Sequence, residues 1–177
     1  MTSEIASLVR GGTHQGRRKL MDYEDKIIID KGFWLTGPMH CWRCSRVTSV
    51  TAMVVAQGLE AVGDEMVSID EPMFVTSIWD LPEPLVKQLE TVNPSAIFPN
   101  EGPEEGYIVG NRCGNCEAYI GELWLTEPGG PLQPNEAAAL AKLSATPLAV
   151  TPFCLYEAAT GYASGLGEVM AEVLKRT

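Results

Sequence analysis

Two short stretches decide how this chain reads: His40-Cys41-Trp42-Arg43-Cys44-Ser45-Arg46 and Arg112-Cys113-Gly114-Asn115-Cys116-Glu117-Ala118. Each holds a C-x-x-C pair. A tight turn with that spacing points two sulfurs to one side, where they fill two corners of a tetrahedron at about 2.3 Å from a zinc ion. Two such turns face to face complete a closed shell, so Cys41, Cys44, Cys113 and Cys116 are the expected metal ligands. Sixty-eight residues lie between Cys44 and Cys113 and must fold back to bring the pairs together. Zinc is the expected ion, and iron in a rubredoxin-like site takes the same four thiolates. Gly114 is expected to relieve the sterics of the second turn. Arg43, Arg46 and Arg112 are placed to offset the double negative charge of a zinc tetrathiolate.

Other chemistry fits these residues less well. A thioredoxin-type centre sets its C-x-x-C at a helix start after a strand, and neither pair has that context. Haem c attachment requires histidine after the second cysteine, where Ser45 and Glu117 stand. A catalytic zinc keeps one position open, whereas four thiolates close the shell. His40 reads as a packing or hydrogen-bonding residue beside the ligands, and His14 has no role. Trp42, inside the first pair, is set to shield the metal or meet a partner. Cys154 reads as a small buried hydrophobe. The chain contains no G-x-G-x-x-G after a strand, no P-loop, no H-E-x-x-H and no G-x-S-x-G, so no catalytic residue is singled out.

Outward from the cysteines, strand-like and helix-like segments alternate. Lys26–Leu35 is β-branched and aromatic but broken by Gly32, which suggests two short strands or a bent one. Val47–Ala56 and Met73–Trp79 are further strands, with Gly58 and Gly63 expected to bracket a turn. Asp80 and Glu83 have capping-box spacing ahead of a helix whose Leu85, Val86, Leu89 and Val92 share one face, stopped at Asn93-Pro94. Asn100–Gly106 is a loop by composition. Tyr107–Val109 and Ala118–Leu125 read as a hairpin whose connection holds Cys113 and Cys116, and Pro128-Gly129-Gly130-Pro131 as a turn. Asn135 is placed to cap a helix over Glu136–Leu143, Leu148–Tyr156 is apolar enough for a buried strand, and Ser164 is placed to cap a last helix containing Leu166, Val169, Met170, Val173 and Leu174. The fold class is therefore α+β, an antiparallel sheet with a zinc-ribbon-like four-cysteine site and two or three packed helices.

With 177 residues, 45% of them hydrophobic, the chain reads as one domain able to bury a core without disulfides. Residues 1–20, with Arg10, Arg17, Arg18 and Lys19 against Glu4, form a basic lead-in of net charge +3, expected to be flexible. Residues 21–177 form the metal-stabilised domain, of net charge −13. That acidic body repels phosphate backbones, so no direct nucleic-acid binding is expected, whereas a basic protein partner is favoured. No apolar run is long enough for a membrane span and residues 1–12 lack a signal-type apolar core, so a cytoplasmic location is expected.

The stretch from Phe33 to about Leu132 resembles an uncharacterised group of bacterial zinc-ribbon-like proteins. That group pairs a C-W-x-C knuckle with a later C-x-x-C-G-A-x-x-G-D-x-x-L segment that ends in P-G-G-P. The matching residues here are Cys41-Trp42-Arg43-Cys44, Cys113 to Leu125, and Pro128-Gly129-Gly130-Pro131. Glu117 stands where glycine is common and Glu122 where aspartate is. The resemblance implies a metal-bearing scaffold and supplies no activity. The leading expectation is a non-enzymatic, zinc-stabilised module that binds or regulates another protein. One alternative is an acidic inhibitor, such as an immunity or anti-defence protein, that covers a basic nucleic-acid-binding surface. The other is an enzyme, thiol-redox or of another kind.

Overall fold

The computed structural model describes residues 26–99, 107–156, 158–161 and 165–176. The expected lead-in over residues 1–20, the domain start at Met21, the 100–106 loop and the Ser164 cap lie outside the described residues.

In chain order the strands and helices are β1 (Lys26–His40), β2 (Val47–Val62), β3 (Glu65–Ile69), β4 (Met73–Thr76) and α1 (Glu83–Val92). A 3₁₀ turn at Pro94–Ala96 leads to β5 (Ile97–Pro99), β6 (Tyr107–Val109), β7 (Asn111–Arg112) and β8 (Tyr119–Ile120). Then come α2 (Glu122–Thr126), α3 (Ala137–Leu140), β9 (Ser144–Pro147), β10 (Phe153–Tyr156), β11 (Ala159–Gly161) and α4 (Leu166–Leu174). The main sheet has seven strands, all antiparallel, in the order β10-β1-β2-β4-β11, with β9 also on β1 and β3 also on β2. Two small hairpins, β5–β6 and β7–β8, stand beside it. The architecture is α+β, as expected, with two helices of nine or ten residues and two short ones.

The frame is the β1–β2 hairpin, which pairs from Ile27 with Glu60 to His40 with Val47. Its register shifts between Ile29 and Gly32, so Lys26–Leu35 belongs to one bent strand. Side chains alternate across a strand, and here both faces are covered. Phe33, Leu35, Val54 and Phe74 enter one buried cluster with Leu166, Val169, Met170 and Val173 of α4. Trp34, Met53, Val55 and Val75 enter another with Leu85 and Leu89 of α1. Burial on both sides explains why these strands are continuously apolar. Cys41 and Cys113 belong to the α4-side cluster, which places the cysteine site at the end of the hairpin, against the core. Among the described residues no helix is long and apolar enough to cross a membrane.

Several local expectations are corrected. Gly58 lies inside β2, where a Cβ would collide with the Ile28 carbonyl oxygen, and the turn is the tight one at Gly63-Asp64. The α1 N-cap is Pro82, with no side-chain cap bond. Pro84 removes one amide of the first turn, and the Leu85 amide is taken by the Pro82 carbonyl, so Asp80 has no part in it. Tyr107–Val109 pairs with Ile97–Pro99, so the strand entering the second cysteine pair is Asn111–Arg112. Only Tyr119–Ile120 of the expected return strand is extended, and Glu122–Thr126 is helical with Leu123 and Trp124 exposed. The helix expected over Glu136–Leu143 is the four-residue Ala137–Leu140, capped at Glu136 with no side-chain bond from Asn135. In Leu148–Tyr156 only Phe153–Tyr156 is a strand.

Candidate metal centre

Each cysteine pair occupies a hairpin connection. Cys41–Arg46 joins β1 to β2, and Cys113–Ala118 joins β7 to β8. The two turns have the same backbone bonds. In the first, Cys41 N–H donates to the Arg46 carbonyl and Ser45 N–H to the Cys41 carbonyl, both at 2.9 Å. In the second, Cys113 N–H donates to Ala118 and Glu117 N–H to Cys113, again at 2.9 Å. The residue after each second cysteine is left-handed, Ser45 at φ 59° and Glu117 at φ 58°. That conformation turns the chain out of the knuckle, and glycine adopts it without strain. Gly114, expected to relieve the turn, has no such backbone angle; a Cβ there would come within 3.2 Å of Ser95 Oγ.

The two knuckles face each other. Cys41 Sγ lies 3.7 Å from Cys116 Sγ and Cys44 Sγ 3.7 Å from Cys113 Sγ, so both close pairs cross between knuckles. All four sulfurs fall within 4.8 Å of one another, and this group can hold a metal ion. A tetrahedron with metal–sulfur bonds of about 2.3 Å has edges of about 3.8 Å, so the crossed pairs already sit at ligand spacing. None of the five cysteines is in a disulfide.

Backbone amides complete the sulfur environment. Arg43 N–H points at Cys41 Sγ and Asn115 N–H at Cys113 Sγ, each at 3.4 Å. Burial opposes a thiolate at Cys113, but the Asn115 and Cys116 amides with the Cys41 and Cys44 thiols outweigh it and lower its pKa to about 6. At Cys116 the Ala118 amide favours the thiolate, yet burial and sharing with Cys44, Cys41 and Cys113 push it up to about 12. Four thiols in one site cannot all ionise cheaply without a cation.

Reciprocal side-chain bonds hold the knuckles together. Trp42 Nε1 donates to the Tyr119 carbonyl at 3.0 Å, and Asn115 Nδ2 donates to the Val47 carbonyl at 3.1 Å. Each donor sits at the tip of one knuckle, and each acceptor lies three residues past the second cysteine of the other. Gly114 N–H adds a bond to Thr48 Oγ1 at 3.0 Å. Further along β2, Asn111 takes the place of a strand, accepting from Thr51 N–H at 2.8 Å and donating to the Thr51 carbonyl at 2.9 Å. Asn93 Nδ2 reaches Thr51 Oγ1 at 3.1 Å and the Ser49 carbonyl at 3.3 Å. Buried polar groups need such partners, and here they strap the second knuckle to the strand that leaves the first.

The remaining expected residues fall as follows. His40 is exposed and its Nδ1 lies 3.1 Å from the Ser45 carbonyl, the hydrogen-bonding position expected of it. Trp42 is 68% exposed, and its indole N–H ties the first knuckle to the second hairpin. Arg43 and Arg46 are exposed, and the Arg112 guanidinium lies over the Phe98 ring at 3.8 Å. Cys154 is half-buried in β10, and burial pushes its thiol up. Asn111, Asn115, Thr48 and Asn93 carry the strap; the sequence marks Asn93 only as a helix stop and Asn115 only as a member of the second pair, and neither signal points to a strap.

Comparison with family models, with curated proteins and with solved structures finds no match.

Proposed function

We propose that Cys41, Cys44, Cys113 and Cys116 bind one zinc ion, and that the protein is a non-enzymatic, zinc-stabilised module that binds another protein. The observation that carries the metal reading is the pair of crossed 3.7 Å sulfur contacts, at the edge length of a zinc tetrathiolate. Four thiolates leave no position for substrate or water, which favours a structural ion over a catalytic one. On the knuckles and the strand ends they bond to, Trp42 is 68% exposed, Val47 57% and Tyr119 53%, and adjoining exposed apolar side chains can form the apolar part of a binding surface.

The test is metal analysis of freshly purified full-length protein. About one zinc per chain is expected, lost in Cys41→Ser and in Cys113→Ser together with thermal stability. Iron at one per chain, with its visible charge-transfer absorption, would assign a rubredoxin-like centre instead. Disulfides joining Cys41 to Cys44 and Cys113 to Cys116 in protein isolated under reducing conditions would end the metal reading.

A further inference from the structure

Beside the metal centre runs a groove of about 980 Å³. One wall is the end of the first hairpin, with Pro38, His40 and Val47. The other is the Pro128–Pro131 turn, continued through Pro134 to Glu136, with Trp124 and Glu127 beside it. The size is at the top of the roughly 300–1,000 Å³ range of small-molecule sites, enough for a run of several residues.

The turn in the second wall is poor in free donors. Pro128 and Pro131 carry no N–H. The other amides of the turn are used internally: Glu127 on Leu123, Gly129 on Gln133, Gly130 on Glu127, Leu132 on Leu125 and Gln133 on Gly130. Gly130 is drawn so close to the end of α2 that a Cβ would come within 2.7 Å of the Trp124 carbonyl oxygen, which fixes the turn in this form. The amides of residues 127–133 are therefore spent within the turn, while the carbonyls of Pro128, Gly129 and Pro131 accept none of these bonds. Glu127 and Glu136 are exposed, and no ion pair joins either to a described residue. Trp124 is 51% exposed. Lys142 is the one lysine or arginine of the lining.

The wall also carries the Asn135 amide, a donor as well as an acceptor, but its free carbonyls, the Glu127 and Glu136 carboxylates and the Trp124 ring face complement a cationic group rich in donors. Arginine offers five N–H donors and a planar face that stacks on aromatic rings, a combination lysine lacks. Phosphate backbones meet the same carboxylates and a chain of net charge −10, and are repelled. We propose that this groove docks an extended, arginine-bearing segment of a partner protein, with the guanidinium taken up by Trp124, Glu127 and Glu136. The inference rests on the protein-binding half of the function proposed above and names the surface and the chemistry of the partner.

The probe is fluorescein-labelled Gly-Pro-Arg-Gly-Pro-Arg-Gly, followed by anisotropy against full-length, metal-loaded protein at low salt. Saturable binding is expected, weakened about tenfold or more when citrulline replaces arginine, when Trp124→Ala is introduced, and in the double variant Glu127→Lys/Glu136→Lys. Asp64→Lys/Glu65→Lys makes the same charge change in the distant turn after β2 and should alter binding less than about threefold. The proposal is overturned if the peptide does not bind, if the citrulline peptide binds equally, or if the distant double variant weakens binding as much as the groove variant. It is also overturned if oligouridylate binds and the groove variants abolish it, or if the protein self-associates through Trp124. Trp124→Phe, which keeps a ring, separates loss of contact from loss of fold if the alanine variant melts early. Zinc content of the same samples reports the metal reading separately, so either reading can fail alone.

Discussion

Asn111→Ala tests whether a side chain stands in for a missing strand. Asn111 and Thr51 are 2% and 5% exposed, and their two hydrogen bonds are 2.8 and 2.9 Å long. The neighbouring strand β4 pairs with β2 no further than Met53, so no backbone group replaces the lost amide. The variant leaves one buried N–H and one buried C=O without partners, at a cost of about 1–3 kcal/mol each and about 2–5 kcal/mol together. With a urea m-value of about 1–3 kcal/mol/M, the midpoint should fall by about 1–3 M while m itself holds. Urea unfolding followed by far-UV circular dichroism measures this, and zinc release to a colorimetric chelator measures whether the second knuckle loosens with it. Asn111→Asp retains an acceptor for Thr51 N–H but loses the donor to its carbonyl and buries a carboxylate, so it should also be clearly destabilised. A loss below about 0.5 kcal/mol for Asn111→Ala would refute the reasoning, because it would mean that the edge of β2 is already served by water.

The left-handed residues give a second test: Ser45→Val and Glu117→Val should each cost about 1–2 kcal/mol. Glycine at either site should be near neutral, because strain relief is offset by about 0.5–1 kcal/mol of chain entropy; thermal melts of the four variants separate the cases. Burial raises the Glu122 pKa, opposed by the Ser77 amide, so the folded protein holds a proton that the unfolded chain has released. Stability should therefore fall as pH rises from the ordinary carboxylate value through the raised one, and Glu122→Gln should flatten that slope in pH-dependent unfolding. Chelation should lower the melting temperature while most of the strand signal in circular dichroism persists. Complete unfolding on metal removal would contradict a knuckle pair held by its own hydrogen bonds.

The four thiols were legible because C-x-x-C spacing is itself a geometric statement: a turn that closes in so few residues fixes where its sulfurs go. The central strands were legible for a related reason, since Phe33-Trp34-Leu35 and Met53-Val54-Val55 are runs that only burial on both faces explains. The same reasoning misled at Leu123-Trp124-Leu125, an apolar run that extends no strand. Only Leu125 is buried there, and the other two stand exposed on a short helix. Periodicity cannot separate those cases over three residues. The polar strap was illegible because asparagine and threonine are ordinary turn and strand residues. Only the tertiary fold places Asn111 beside Thr51, 60 residues away. Ser45 shows the same limit, for its left-handed backbone follows from the knuckle bonds and not from its own preference.

What the strap does for the metal follows from chain entropy. Bringing Cys44 and Cys113 together across 68 intervening residues costs about 4 kcal/mol of loop closure. A flexible chain would take that cost out of its metal affinity, as small metal-dependent domains do. Here the cost is carried elsewhere, by β2 and its neighbours in the sheet and by the bonds from Asn111, Gly114, Asn115 and Trp42. The sulfurs meet across the knuckles at 3.7 Å, within the frame these bonds set. To the extent that the fold carries this cost, the binding energy of a metal would appear as affinity and, through mass action, as stability of the folded state. A cation held by these four sulfurs would add a further tie between two hairpins that the strap bonds also join. Trp42, which bonds the second hairpin, and His40 and Val47, which line the proline-walled groove, all stand at the same end of the β1–β2 hairpin.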